Sequence, residues 1–369
     1  MSISILDDLD GMRKIDKSNM LGFCVDAVRH YRESTRNVQK FKFEYSDPQN
    51  VVIAGMGGSA IGGEILKDYS RSTMKVPIEI SREYTLPEYA DKKSLVILAS
   101  YSGDTEETLS TFLDAIKREC MVFCLSSGGN LLKYAKKLNI PHMQVRAGMP
   151  PRAAFPHMLL PLLSIMDRIN GVTSFSDDIL EATQLLQKVI SDNKPENPAS
   201  KNYAKALACN LRHVAPAVYG FGIYRGVALR FKQQFNENAK IPAKWEAFSE
   251  LNHNENMGWE NLEKLAKCYA VIFLRDKSEP IEIRSRIEAT KSLMQHSLPN
   301  LFEVWAQGKS NLAKILSTVL VGDFTSVYLA ILRGLDPTPV KTISAMKEKI
   351  EKNGVKKRIL AELEKMSVD

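Results

Sequence analysis

Short apolar runs that stop at glycine or hydroxyl residues alternate along this chain with segments whose apolar positions recur at helical spacing. Val51-Val52-Ile53-Ala54 opens into Gly55-Met56-Gly57-Gly58-Ser59-Ala60-Ile61-Gly62-Gly63, and Leu95-Val96-Ile97-Leu98-Ala99 opens into Ser100-Tyr101-Ser102-Gly103-Asp104-Thr105-Glu106-Glu107-Thr108. Continuous apolar runs with β-branched members are the pattern of strands buried on both faces of a parallel sheet. Leu109, Phe112, Leu113 and Ile116 then fall at i, i+3, i+4 and i+7, one apolar stripe on a helix. Strands at 78–81 and 121–125 continue the series. The second half repeats it, with strands at 217–222, 269–274 and 301–305 and a helix whose apolar face carries Val227, Ala228, Phe231 and Phe235.

Alternating strands and helices with short connections predict an α/β protein with two doubly wound parallel-sheet domains. An amphipathic lead helix is expected at 18–36. The polar, proline-punctuated Ser191-Asp192-Asn193-Lys194-Pro195-Glu196-Asn197-Pro198 reads as the linker, dividing the chain into domains 1–190 and 191–369, the second ending in a helical tail. The architecture repeats without a close sequence repeat.

In open α/β sheets ligands bind at strand-to-helix turns, which points to the two turns after Ala54 and Ala99. Free N–H groups of a first helical turn, with hydroxyls around them, suit a phosphate. Asp104 followed by Glu107 also has the spacing of a capping box, so helix capping and phosphate binding both remain open for this stretch. Downstream, Gly148-Met149-Pro150-Pro151-Arg152-Ala153-Ala154-Phe155-Pro156 is too proline-rich for a regular helix and holds one arginine in a stiff frame.

Composition narrows the partners. A net charge of +7 favours anionic ligands, yet Lys and Arg are interspersed with Asp and Glu, and no compact basic block with interleaved aromatics points to nucleic acid. The five cysteines form no CxxC pair, which argues against a disulfide framework or zinc knuckle. The first residues lack the pattern of a secretory signal, and the apolar region 153–166 is too short and interrupted to span a bilayer; a cytoplasmic protein is expected. Gly55-x-Gly57-x-x-x-x-Gly62 fits a dinucleotide fingerprint poorly, since Ala60 stands where the third glycine belongs, although Glu79 lies about 20 residues further on as a ribose-binding acid would. No Gly-Lys-Ser/Thr follows, so the Walker pattern is absent.

Gly57-Gly58-Ser59, the Ser100 to Thr108 stretch, Phe235-Asn236-Glu237-Asn238-Ala239-Lys240 and Glu250-Leu251-Asn252-His253-Asn254-Glu255 together resemble the bifunctional phosphoglucose/phosphomannose isomerases of the sugar isomerase (SIS) superfamily. Gly322-Asp323-Phe324-Thr325-Ser326-Val327-Tyr328-Leu329-Ala330 and Arg333-Gly334-Leu335-Asp336-Pro337-Thr338-Pro339 extend the resemblance over about residues 20–350. It implies a homodimer that exchanges an aldose phosphate with fructose 6-phosphate without metal or organic cofactor. Gly57, Gly58, Ser59, Ser100, Ser102 and Thr105 would bind the phosphosugar. Glu237 would move a proton between C2 and C1 through a cis-enediol, a task that needs a fixed carboxylate. Arg152 would stabilise the enediolate, and His253, reaching in from the partner subunit, would serve ring opening. Lys347 best fits the remaining lysine, with Lys341 and Lys349 close by.

Read without the resemblance, Glu237 is a helix-terminal surface glutamate and Arg152 a solvated loop arginine. His253 has Glu250 and Glu255 nearby but no second histidine in its segment, so a metal site is not expected there. The other histidines, His30, His142, His157, His213 and His296, sit singly in the sequence and read as structural or exposed. A noncatalytic phosphosugar-binding regulator of the same fold would need the cradle without the acid, arginine and histidine. A hexosamine synthase would need an amidotransferase domain with a reactive N-terminal cysteine, whereas position 2 is Ser2. The isomerase is the reading these residues favour.

Overall fold

The computed structural model describes residues 3–40, 45, 47–170, 175–260 and 263–366. Among them, two parallel sheets form. One has the order β2-β1-β3-β4-β5, from β1 (Asn50–Gly55), β2 (Ile78–Ser81), β3 (Ser94–Ala99), β4 (Met121–Ser126) and β5 (His142–Gln144). The other has the order β7-β6-β8-β9, from β6 (Ala215–Gly220), β7 (Lys244–Ala247), β8 (Tyr269–Arg275) and β9 (Leu301–Trp305). Every pairing is parallel, with Gly55 beside Ala99 in one sheet and Val218 beside Ile272 in the other. β3 is buried along its whole length, as a run with no polar face must be.

The two compact units do not follow a single cut. One comprises residues 29–175 and 340–369, the other residues 1–28 and 176–339. Lys205 supplies the physical reason that residues 191–198 are not a linker. This buried lysine donates to the carbonyls of Pro195 at 2.8 Å, Asn197 at 2.7 Å and Leu6, so the proline-rich stretch and the N-terminal segment are pinned to the same unit. The Phe175–Asn193 helix is held there as well: Asn193 Oδ1 accepts from Ala204 N–H at 2.9 Å, and Tyr328 Oη donates to Asn193 O at 2.6 Å. The expected lead helix is two helices, Met20–Val25 and Ala27–Lys40, broken at Asp26 close to the boundary of the units.

The Asn311–Leu332 helix, rather than residues 153–166, is long and apolar enough to cross a membrane by composition alone. Its apolar window is 94% buried inside the protein, where it packs on the helices Tyr203–Asn210 and Arg225–Glu237 as a core element. The cysteines are free thiols, with Cys24 and Cys124 buried and Cys268 exposed.

His30 and His157 do not stand singly in the fold. Both are buried, on the Ala27–Lys40 and Phe155–Asn170 helices, with His157 Nε2 3.4 Å from His30 Nδ1 and the rings edge to face. Glu33 lies close enough for one donor atom from each residue to fall within 4.8 Å of the others, but its carboxylate is held by Arg146 at 2.7 Å. Burial, and then the facing His30, lower the His157 pKa to about 4. The folded state therefore binds this proton less tightly than the unfolded chain, so stability is complete above pH 6.5 and is lost as the pH falls toward 4. In denaturant titrations this group is expected to remove about 2 kcal/mol between pH 7 and 5. His157→Phe should flatten that slope, and an unchanged slope would show that His157 is not its source.

Candidate phosphosugar site

β1 and β3 are neighbours, but β1 also pairs with β2 on its other side, which makes the crevice at the carboxyl ends of β1 and β3 the topological switch point of the sheet. The Gly57–Ser70 and Glu106–Lys117 helices both begin there. Neither receives a hydrogen bond from a capping side chain at its N-cap residue, Met56 or Thr105. Two helix starts with undiverted donors thus face the same crevice, an arrangement suited to an anion.

The capping box, one of the two readings left open for this stretch, does not form. Gly103, at φ 73°, turns the chain so that Asp104 faces the start of the next helix, where its Oδ1 accepts from Asn130 Nδ2 at 2.5 Å. A side chain at Gly103 would collide with the carbonyl of Gly128, 1.9 Å from where Cβ would lie. The cap position falls on Thr105, whose Oγ1 lies 2.9 Å from Ser100 Oγ instead of on the helix.

The hydroxyls divide by role. Ser59 and Ser100 are buried, at 6% and 1% exposure, and build the turns: Ser59 Oγ accepts from Tyr101 N–H at 2.9 Å, and Ser100 Oγ accepts from Gly103 N–H at 3.2 Å. Ser102 is exposed and Thr105 half-buried, so these present hydroxyls at the surface of the crevice. Gly57, at φ 48°, is exposed. The glycine-rich segment is itself the first turns of its helix rather than a loop before one.

The backbone of Arg152 lies beside this cluster. A Cβ at Gly58 would lie 3.0 Å from Arg152 N and 3.1 Å from Pro151 O, so glycine is what lets the proline-rich loop close against the first turn. Arg152 is 2% exposed, not the solvated loop arginine of the alternative reading. Sequence reasoning missed Tyr101, which joins the turns. Its N–H donates to Ser59, its carbonyl accepts from Ser127 N–H at 3.0 Å and Ser127 Oγ at 2.6 Å, and its Oη donates to Arg146 O at 2.9 Å while accepting from Met149 N–H at 3.0 Å. An aromatic between two serines carries no signal of this role.

In the other unit the corresponding crevice, between β6 and β8, is filled. Tyr224 Oη donates to Asp276 Oδ2 at 2.8 Å, and Asp276 also accepts from Ser278 N–H and pairs with Lys314 at 3.1 Å. A buried carboxylate where the first unit has hydroxyls disfavours a phosphate.

Glu237 is half-buried at the C-terminal end of the Arg225–Glu237 helix. That helix is clamped to Asn311–Leu332 by Arg230, whose Nε and Nη2 meet the two Asp323 oxygens at 3.1 and 2.7 Å, and by Gln234 Nε2 to Asp323 at 2.7 Å. Asn238 Nδ2 donates to Ser326 Oγ at 2.9 Å, fixing the residue next to Glu237. Sequence reasoning missed Arg230 and Gln234 and named Asn238 only within its motif; their i, i+4, i+8 spacing, matched to Asp323 and Ser326, was the available signal.

His253 is exposed, in the loop after β7. That loop starts at the carboxyl end of β6, since Phe248 N–H donates to Gly220 O at 2.8 Å. The Arg225–Glu237 helix leaves this same edge and returns to the start of β7, parallel to β6. Its 13 residues span about 20 Å, so Glu237 and His253 of one chain lie at opposite edges of the sheet. Lys347 lies on the exposed helix Lys341–Glu351, which also carries Lys341 and Lys349.

The fold defines an α/β protein of the SIS type, with two helix starts that lack side-chain caps at its first switch point. The chain belongs to the family of bifunctional phosphoglucose/phosphomannose isomerases. Residues 200–350 match the bacterial phospho-glucose isomerase C-terminal SIS domain. The chain is 37% identical over 305 residues to the bifunctional phosphoglucose/phosphomannose isomerase of Caldicellulosiruptor bescii, covering 82% of this chain and 90% of that protein. It is 36% identical over 301 residues to the enzyme of the same name from Thermoplasma acidophilum, covering 82% and 89%. Among solved structures, a hypothetical protein from Thermus thermophilus superposes with a TM-score of 0.71 at 15% identity, over 93% of this chain and 94% of that one, a likeness of fold.

Removing the exposed hydroxyl with Ser102→Ala is expected to weaken inorganic phosphate binding, measured by calorimetry, by about tenfold, the effect of one hydrogen bond to a charged group. Unchanged affinity would place the anion elsewhere.

Proposed function

We propose that this chain is an aldose–ketose isomerase that interconverts glucose 6-phosphate and mannose 6-phosphate with fructose 6-phosphate. The observation that carries this reading, beside the family, is the pair of helix starts without side-chain caps at the β1/β3 crevice, with Ser102 and Thr105 at its surface and buried Arg152 against it. The helix starts, Ser102 and Thr105 hold the phosphate, with Gly57, Gly58, Ser59 and Ser100 shaping the turns. A phosphate bound equally in ground and transition states anchors the substrate and leaves the chemistry to other groups.

Ring opening exposes the C1 aldehyde, and His253 is the group proposed to exchange the proton between O5 and O1. Glu237 then removes the C2 proton and returns it to C1, while a proton moves from O2 to O1; the C1 aldehyde becomes an alcohol and the C2 alcohol a ketone. Arg152 stabilises the charge developing on the enediolate oxygens. Lys347 completes the set as a further cation, ahead of Lys341 and Lys349. Because C2 is planar in the enediol, reprotonation on either face yields either C2 epimer, which is how one pocket serves both aldoses. Organic cofactors and metals have no part in the scheme.

The opposite placement of Glu237 and His253 on one sheet supports a homodimer in which His253 of one subunit serves the Glu237 of the other. A cytoplasmic location suits sugar phosphates as substrates. A noncatalytic phosphosugar-binding regulator is the alternative, and the clamped Glu237 and buried Arg152 favour the enzyme.

The test is to supply glucose 6-phosphate and mannose 6-phosphate separately, in chelator, and measure fructose 6-phosphate. Both are expected to be converted. Glu237→Gln should lower kcat by about 10²- to 10⁴-fold while sugar-phosphate binding stays within about threefold, because the amide keeps the shape and cannot accept the proton. Near-normal turnover in this variant would remove Glu237 as the base.

A further inference from the structure

The chain continues past residue 350, where the match to the family's C-terminal domain ends, into the helix Val355–Lys365. This helix packs on Glu106–Lys117, the helix whose start faces the phosphate crevice. Leu363 and Ile359, at 0% and 6% exposure, enter the hydrophobic cluster that contains Leu109, Phe112 and Tyr134. Tyr134 Oη donates to Leu360 O at 3.3 Å, and Glu364 pairs with Lys133 and Lys137 at 3.3 and 3.2 Å. The helix is therefore seated by apolar burial at its far end and by surface ion pairs along it.

Its first turn reaches the crevice. Lys356 Nζ lies 3.5 Å from Asp104 Oδ1, and Lys356 N–H donates to Glu106 Oε2 at 3.1 Å. Asp104 and Glu106 flank the turn that presents Ser102 and Thr105, and two carboxylates beside a phosphate oppose its binding by like-charge repulsion. Glu106 is further tied down by Tyr84 Oη at 2.9 Å, and Asp104 by Asn130.

We propose that the C-terminal helix completes the phosphate site: Lys356 acts as a positioning residue whose ammonium offsets the charge of Asp104 beside the ligand, while its backbone N–H holds Glu106. The appended helix is thereby part of the substrate site rather than a passive tail. This rests on the reading of the crevice as the phosphate site.

The test uses the full-length protein, with KM for glucose 6-phosphate and competitive inhibition by inorganic phosphate measured at low and high salt. Lys356→Ala is expected to raise both KM and the inhibition constant about two- to fivefold, with kcat within twofold, the scale of a partly exposed ion pair. The effect should shrink at about 1 M salt, where screening is short-ranged. Lys356→Arg should restore the wild-type values, and adding Asp104→Asn to Lys356→Ala should recover part of the loss. A role in packing alone would lower thermal stability with no salt-dependent change in KM, and that outcome overturns the proposal. Ser102→Ala separates the two levels. If it raises KM while Lys356→Ala does not, the helix has no part in binding; if neither variant moves KM, the crevice itself is not the phosphate site.

Discussion

The structure depends on a constraint of parallel sheets: β1 lies between β2 and β3, and its two neighbours are reached by connections on opposite faces. At the carboxyl ends of β1 and β3 this leaves a crevice, and the two helices that follow these strands start at its rim. What fills it is a matter of side chains. In one unit serines and glycines leave the helix starts open, while in the other Tyr224, Asp276 and Lys314 satisfy one another across the same gap. Two copies of one architecture thus differ at this gap, with hydroxyls and glycines in one and a buried carboxylate in the other.

The central strands were legible in the sequence, since β1, β3, β4, β6 and β8 are buried on both faces and must be apolar throughout. The edges were not. β7, Lys-Trp-Glu-Ala, is half-buried at every position, and β5 has only three residues, so neither offers a continuous run or an alternation. The crevice was legible as a hydroxyl-rich turn, but that Asp104 meets Asn130 instead of capping the helix depends on a glycine in the left-handed region. The division into units was hidden because one buried lysine, Lys205, binds carbonyls from segments distant in sequence, and backbone acceptors leave no trace in residue types. Tyr101 was hidden for the same reason: both partners of its hydroxyl are backbone groups.

The groups proposed for chemistry are held by polar contacts between helices. Asp323 receives Arg230 and Gln234, and Ser326 receives Asn238, so the end of the helix that carries Glu237 is fixed by side chains one and two turns before it and one residue after it. A bidentate guanidinium–carboxylate pair fixes direction as well as distance, which is what a proton-transferring carboxylate requires of its support. The helix that delivers Glu237 to one edge of the sheet carries it away from His253 at the other edge. One chain does not bring these two residues together within this unit, so the chemistry proposed for them has the association of two chains as its condition.

That condition is tested by complementation between two inactive variants, E237Q and H253A. Each is purified as an inactive homodimer, and the two are mixed, dissociated and allowed to reassociate. When Glu237 and His253 of one site come from different chains, each mixed dimer regains one intact site, and random reassociation should return about a quarter of wild-type turnover. Recovery of no activity in dimers shown to be mixed would contradict this, and would require Glu237 and His253 to serve the site from the same chain.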